Sequence, residues 1–182
     1  VFAQSDEYRV EQNGNLHSFC HAVPGKWHLM GVMLSAAGSF QWYKNQFGSE
    51  EQKIENEGGL NAYELLTKGA SQVKAGSEGL FFLPYLSGER TPYPDPYARG
   101  CFIGMSLRHQ KKHLTRAVIE GVSYGLNDSL SLMRDLGVHP NEIVLSGGGS
   151  RSILWKQMLA DVFAAPCAMV NAVEGAAYGA AI

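Results

Sequence analysis

Three consecutive glycines, Gly147, Gly148 and Gly149, separate a short β-rich apolar run, Ile143-Val144-Leu145, from an amphipathic helical pattern that starts at once and runs through Asp161. A strand, a turn without side chains and a helix in direct succession commit this part of the chain to an α/β arrangement. Glycine lacks Cβ, so the turn tolerates positive φ and lets a ligand touch backbone. The helix start beyond it offers unpaired N–H groups and the positive end of a helix dipole. Together these suit a nucleotide or another polar ligand. The same turn also serves packing alone in many α/β domains, and the glycines by themselves leave both readings open.

The chain has 182 residues, 45% of them hydrophobic and 18% charged, enough for one domain with a real core. A formal net charge of −2 supplies no global field toward nucleic acid or an anionic membrane. The short basic cluster from Arg108 to His113 reads as a solvated loop. No stretch has the apolar length of a membrane span, and no signal-peptide pattern opens the chain. The reading is a cytoplasmic protein with neither nucleic-acid nor membrane partners. Cys20, Cys101 and Cys167 are odd in number, far apart and set in apolar segments, which predicts buried, reduced thiols. Val1-Phe2-Ala3 starts as if inside a strand and Ile182 ends an apparent helix without a stop signal, so the expectation is a piece of a longer protein.

Along the chain, residues 1–3 and 16–23 read as strands, with a turn at Gly14 between them and hairpin-like pairing. His17 and His21 would share a strand face, without the further ligands a metal site needs. Helical spacing predicts helices over 30–47, closed by Gly48, and more weakly over 61–73. A buried strand is expected at 80–83. Four of the seven prolines fall in the stretch 84–96, which predicts an extended, ordered loop outside any central strand. A strand at 101–105 precedes the longest helix, 113–136, on which Arg116 and Glu120 are expected as a surface pair. A helix at 152–164, a strand at 167–170 and a small-residue helix at 174–181 complete the pattern. The alternation predicts a mixed sheet covered by helices.

Several segments resemble the FGGY carbohydrate kinases. Gly100-Cys-Phe-Ile-Gly104-Met105, followed after seven residues by His113-Leu-Thr-Arg-Ala-Val-Ile-Glu120, is similar to the family's C-terminal signature. The Gly147–Gly149 turn and Gly175-Ala-Ala-Tyr-Gly-Ala-Ala181 look like its adenosine-side elements. Ser18-Phe-Cys-His-Ala22, Trp27-His-Leu-Met30 and Leu83-Pro-Tyr-Leu-Ser-Gly-Glu-Arg-Thr-Pro92 resemble the branch of the family that phosphorylates D-xylulose. The resemblance covers nearly the whole chain, in order.

It implies an actin-like, ribonuclease-H-like ATPase domain spanning 1–182, the C-terminal, nucleotide-side half of a two-domain sugar kinase. Its implied reaction is transfer of the ATP γ-phosphoryl group to a sugar hydroxyl, with Mg²⁺ on the phosphates. Carried over by position, Gly148 and Gly149 border the adenosine, with Gly147 beside them among the nucleotide-binding residues; Ser152 places a polar side chain near the adenine, and Ala37 and Gln41 lie near the nucleotide. An amide such as Gln41 can pair with an adenine edge. The family's base and phosphate loops belong to the N-terminal half, so no catalytic residue is assigned here, and Asp128, Asp161 and Glu89 are not taken as the base. The expected partners are a sugar and the protein's own N-terminal domain; homodimer formation stays open. So do a sister kinase acting on gluconate, ribulose or another polyol, and a non-catalytic actin-like nucleotide-binding module.

Overall fold

The computed structural model describes residues 1–169; the helix expected at 174–181 lies outside them. The chain opens with a three-stranded antiparallel sheet: β1 (Phe2–Ser5), β2 (His17–Cys20) and β3 (Trp27–Met30), in the order β1-β3-β2. The hairpin expected between the first two strands does not form. The Pro24-Gly25 turn, with Gly25 at φ +77° and Lys26 N–H donating to the Val23 carbonyl, folds the missed strand β3 back onto β2. β1 then adds to the free edge of β3, pairing Phe2 with Met30 and Ala3 with Leu29. Leu29 points inward, 1% exposed, into a small core with Leu16 and Met133.

Helix α1 (Ala36–Phe47) begins six residues later than its apolar spacing predicts. Met30 belongs to β3, and the backbone that follows is drawn into contacts with the proline-rich loop. The N–H of Val32 donates to Thr91 Oγ1 and that of Leu34 to Glu89 Oε1, each at 3.1 Å. Gly48 closes α1, as expected, by donating to the Lys44 carbonyl. The chain restarts at once as α2 (Ser49–Asn56), which no hydrophobic stripe announces because none of its residues is buried. Helix α3 (Ala62–Ala70) is capped by Asn61, whose side chain accepts from Tyr63 N–H.

The main core surrounds α4 (Lys111–Asp135), where Val118, Ile119 and Val122 are fully buried beside Tyr43 and Trp155. α4 lies against β4 (Phe81–Leu83), which pairs antiparallel with β5 (Cys101–Ile103). The approach is close at Gly121: a Cβ there would lie 2.1 Å from the Phe82 carbonyl oxygen. Alanine in mid-helix ordinarily stabilises by about 1 kcal/mol over glycine. Here the sign is expected to invert, with Gly121→Ala costing about 2 kcal/mol through overpacking. Chemical denaturation of the variant checks this; a gain in stability would mean that α4 slides freely on β4.

Arg116 and Glu120 are not the surface pair expected. Both are buried, and Arg116 Nε donates to Glu120 Oε1 at 2.7 Å. The thiols correct a second expectation: Cys20 and Cys101 are exposed and Cys167 half-buried, all of them free. Cys20 and Cys101 lie at the ends of short strands, where apolar neighbours do not guarantee an inward direction. The last described strands, β6 (Ile143–Leu145) and β7 (Cys167–Met169), are parallel and joined through α5 (Ile153–Phe163). Parallel and antiparallel pairs thus coexist, as expected. Among the described residues, however, they form three small sheets and not one continuous one.

Candidate nucleotide cavity

Strand β6 delivers the chain into the glycine turn. Of the three glycines only Gly147 takes positive φ, +90°. The helix does not follow at once: a 3-10 turn, Gly148–Arg151, intervenes, held by Ser150 Oγ donating to the Gly147 carbonyl at 2.7 Å. Ser152 then caps α5, its Oγ accepting from Trp155 N–H at 3.3 Å. The glycines also differ in surroundings. An added Cβ at Gly148 would meet no heavy atom within 4 Å, whereas at Gly149 it would lie 3.0 Å from the Trp155 ring. Gly149 answers to packing, and Gly148 to open space.

That space is a cavity of about 520 Å³, within the usual size of small-molecule sites. Gly148, Gly149, Arg151, Ser152 and Trp155 form one wall. The first turns of α1 form the second, through Ala37, Gly38, Phe40 and Gln41. α3 and its cap supply the third, with Asn61, Tyr63, Glu64 and Thr67. Five of the six expected site residues (Ala37, Gln41, Gly148, Gly149 and Ser152) therefore meet on one cavity, although more than a hundred positions separate α1 from the turn. Gly147 does not line it; its positive φ turns the chain into the 3-10 segment.

The α3 wall was not foreseen. Its available signal was Asn61 as an N-cap followed directly by Tyr63 and Glu64, a helix start that leaves an aromatic and a carboxylate half or fully exposed. The small run Ala36-Ala37-Gly38 could likewise have indicated Gly38.

The floor is apolar and rigid. Phe40 meets Trp155 edge-on at 5.8 Å between centroids and Tyr63 at 5.2 Å. Trp155 is fixed by Nε1 donating to the buried Ser123 Oγ at 3.0 Å. Lys44 Nζ sits 4.7 Å above the Tyr63 ring, a cation–π contact that restrains it. Asn61 is spent on its cap and on Glu55. Gln41, Glu64 and Arg151 make no side-chain hydrogen bond or ion pair among the described residues, so their polar groups remain available to a ligand. An apolar floor, open glycine backbone and a few free polar groups suit a flat heterocycle with polar edges.

The carboxylates set aside as bases stay outside this cavity. Asp161 accepts from Gln157 on the surface of α5. Asp128 is half-buried on α4, and burial holds its carboxyl above the usual range. Glu89 is buried under the loop, with Arg90 exposed beside it. Around His17 and His21, as elsewhere among the described residues, no three His, Cys, Asp or Glu side chains are grouped to hold an ion. No described helix is long and apolar enough to cross a membrane.

Residues 1–182 match the model of the FGGY family of carbohydrate kinases, C-terminal domain. The xylulose kinase of Escherichia coli strain K12 is 42% identical over 161 residues, covering 88% of this chain and 31% of that protein. The gluconokinase of Bacillus subtilis strain 168 is 35% identical over 179 residues, covering 97% and 34%. The crystal structure of xylulose kinase from Rhodospirillum rubrum superposes with a TM-score of 0.80 at 31% identity, over 100% of this chain and 35% of that one. The chain spans about a third of the length of the curated relatives it matches. Its mixed strands and covering helices are those of the actin-like ATPase fold these kinases share. The chain belongs to the FGGY family of carbohydrate kinases, as their C-terminal domain.

Proposed function

We propose that residues 1–182 are the nucleotide-binding half of an ATP-dependent sugar kinase that converts D-xylulose to D-xylulose 5-phosphate. The carrying observation is the convergence of Ala37, Gln41, Gly148, Gly149 and Ser152 on one cavity with aromatic walls. In this reading the cavity takes the adenosine of ATP. Gly148 offers backbone at close range, Phe40 and Trp155 supply the apolar floor, and Gln41 and Ser152 offer donors and acceptors to the base and ribose. Phosphoryl transfer needs positioning, neutralised phosphate charge and a base for the attacking hydroxyl. In this reading Mg²⁺ arrives on the ATP phosphates, whose charge it would neutralise. We assign the base and the phosphate loops to the N-terminal domain that makes up the rest of such a kinase.

The choice of D-xylulose rests on branch-like segments and on xylulose kinases among the relatives. A gluconokinase at 35% identity keeps gluconate as the second candidate. ADP release by the intact kinase containing this chain, with D-xylulose, L-ribulose, gluconate, glycerol or no sugar, is the test. Selective turnover of D-xylulose is expected. Selective turnover of another sugar moves the substrate and leaves the nucleotide cavity standing. Absence of turnover with every sugar, together with ADP binding, would make the domain a non-catalytic nucleotide-binding module. The isolated chain is expected to bind ADP weakly and to phosphorylate no sugar; phosphorylation by residues 1–182 alone would refute the division of labour between the halves.

A further inference from the structure

Helix α1 carries one wall of the cavity, yet lacks the local devices that usually fix a helix start. Its N-cap, Ser35, makes no side-chain capping bond, and its first turn contains no acidic residue. The backbone just before that cap is instead held by the proline-rich loop, 55 positions away in sequence. Glu89 is 4% exposed, and its Oε1 accepts from the N–H of Leu34 at 3.1 Å and of Arg90 at 2.7 Å. Its second oxygen, Oε2, is buried without a hydrogen-bond partner. An acidic group with an unpaired oxygen is costly to bury. The adjacent helix start is a place where negative charge is favoured, through the macrodipole and the free N–H groups of the first turn. Three residues beyond Leu34 the helix presents Ala37, then Gly38 and Gln41, to the cavity.

Resting on the nucleotide reading above, we infer that Glu89 is a positioning residue for the nucleotide: it fixes the start of α1, and so sets where Ala37, Gly38 and Gln41 stand, without touching the ligand itself. A second fastener of the same loop gives an internal control. Thr91 Oγ1 accepts from Val32 N–H and donates to the Asn15 carbonyl, and Thr91 N–H donates to the Val32 carbonyl. Thr91 therefore ties the loop to the segment before α1, while Glu89 reaches the residue next to its cap. Loss of Thr91 Oγ1 lowers stability, and loss of the Glu89 carboxylate also moves the wall.

ADP affinity of the intact kinase, measured by titration calorimetry well below the unfolding midpoints, tests this in three variants. Glu89→Met removes the acceptor at similar volume; Glu89→Gln keeps one carbonyl oxygen; Thr91→Val removes the other fastener. Displacement of binding groups by a fraction of an ångström is expected to weaken ADP binding about tenfold in Glu89→Met. Glu89→Gln is expected to restore most of the affinity and Thr91→Val to retain it. Amide hydrogen exchange at Leu34 should quicken in Glu89→Met and stay slow in Glu89→Gln. Unchanged ADP affinity in Glu89→Met, equal weakening in Thr91→Val, or loss of the fold in Glu89→Met would each overturn the inference and leave Glu89 a structural residue. Wild-type protein that binds no ADP would overturn the nucleotide reading together with it, so the two failures are separable.

Discussion

Replacing Glu120 with alanine is expected to destabilise the domain by about 3–5 kcal/mol, the usual cost of breaking a buried ion pair by removing one partner. Arg116 and Glu120 are one helical turn apart on α4, 9% and 4% exposed. Glu120 Oε1 accepts from Arg116 Nε at 2.7 Å and from Gly76 N–H at 3.0 Å. Truncation therefore strands a guanidinium in the interior and leaves a backbone donor unpaired. The donor matters locally, because Gly76 opens a run of four residues at positive φ, including the non-glycines Ser77 and Glu78 at +46° and +55°. Side chains rarely accept that conformation, and it persists only where surrounding contacts enforce it. Ser77 Oγ donating to the His113 carbonyl at 2.6 Å is another such contact. Urea denaturation measures the loss as a lower midpoint at unchanged slope. The double replacement Arg116→Met with Glu120→Leu is expected to cost less than Glu120→Ala alone, since no charge is left buried. A loss below about 1 kcal/mol in Glu120→Ala would mean that the Arg116 head escapes to water and the pair behaves as a surface bridge.

The same pair shows what a sequence pattern conveys and what it omits. Spacing placed Arg116 and Glu120 on one face of one helix, and they are there. Whether that face is wet depends on what packs over it, and the loop carrying Gly76 comes from a part of the chain that spacing on α4 does not mention. The longest elements were legible because their apolar stripes are long: α4 and α5 begin and end within a few residues of expectation. Strand β3 was not, because four residues of mixed polarity carry no periodicity that competes with the helical spacing beginning at Met30. The start of α1 was missed for a tertiary reason, the capture of Val32 and Leu34 by Thr91 and Glu89. α2 was missed because an exposed helix held by Lys111–Glu51 at 2.6 Å needs no apolar stripe. The cavity divides in the same way. Its glycine turn and α1 wall followed from residue type and resemblance, whereas α3 joins it only through packing. Tyr63 and Glu64 acquire a place there because Phe40 brings the two helices together.

Gly148→Phe is expected to weaken ADP binding at least about 100-fold, close to 2.7 kcal/mol, while leaving the fold nearly as stable as before. Gly148 lies outside the positive-φ region and an added Cβ meets open space, so the backbone accepts the side chain without strain. The ring is expected to enter the volume that Gly148 lines together with Gln41 and Tyr63. It would occupy the room assigned to the nucleotide and bar close approach to the backbone. Substitutions that disturb no packed neighbour usually change stability by no more than about 0.5 kcal/mol. Gly149 provides the contrast within the same turn. There a side chain collides with Trp155, which is locked to Ser123, so Gly149→Phe should lower stability and affinity together. Calorimetric titration with ADP and thermal unfolding of both variants separate a ligand role from a packing role. Loss of stability in Gly148→Phe as large as in Gly149→Phe would assign both glycines to packing. A stable Gly148→Phe that still binds ADP at wild-type affinity would place the nucleotide outside this cavity.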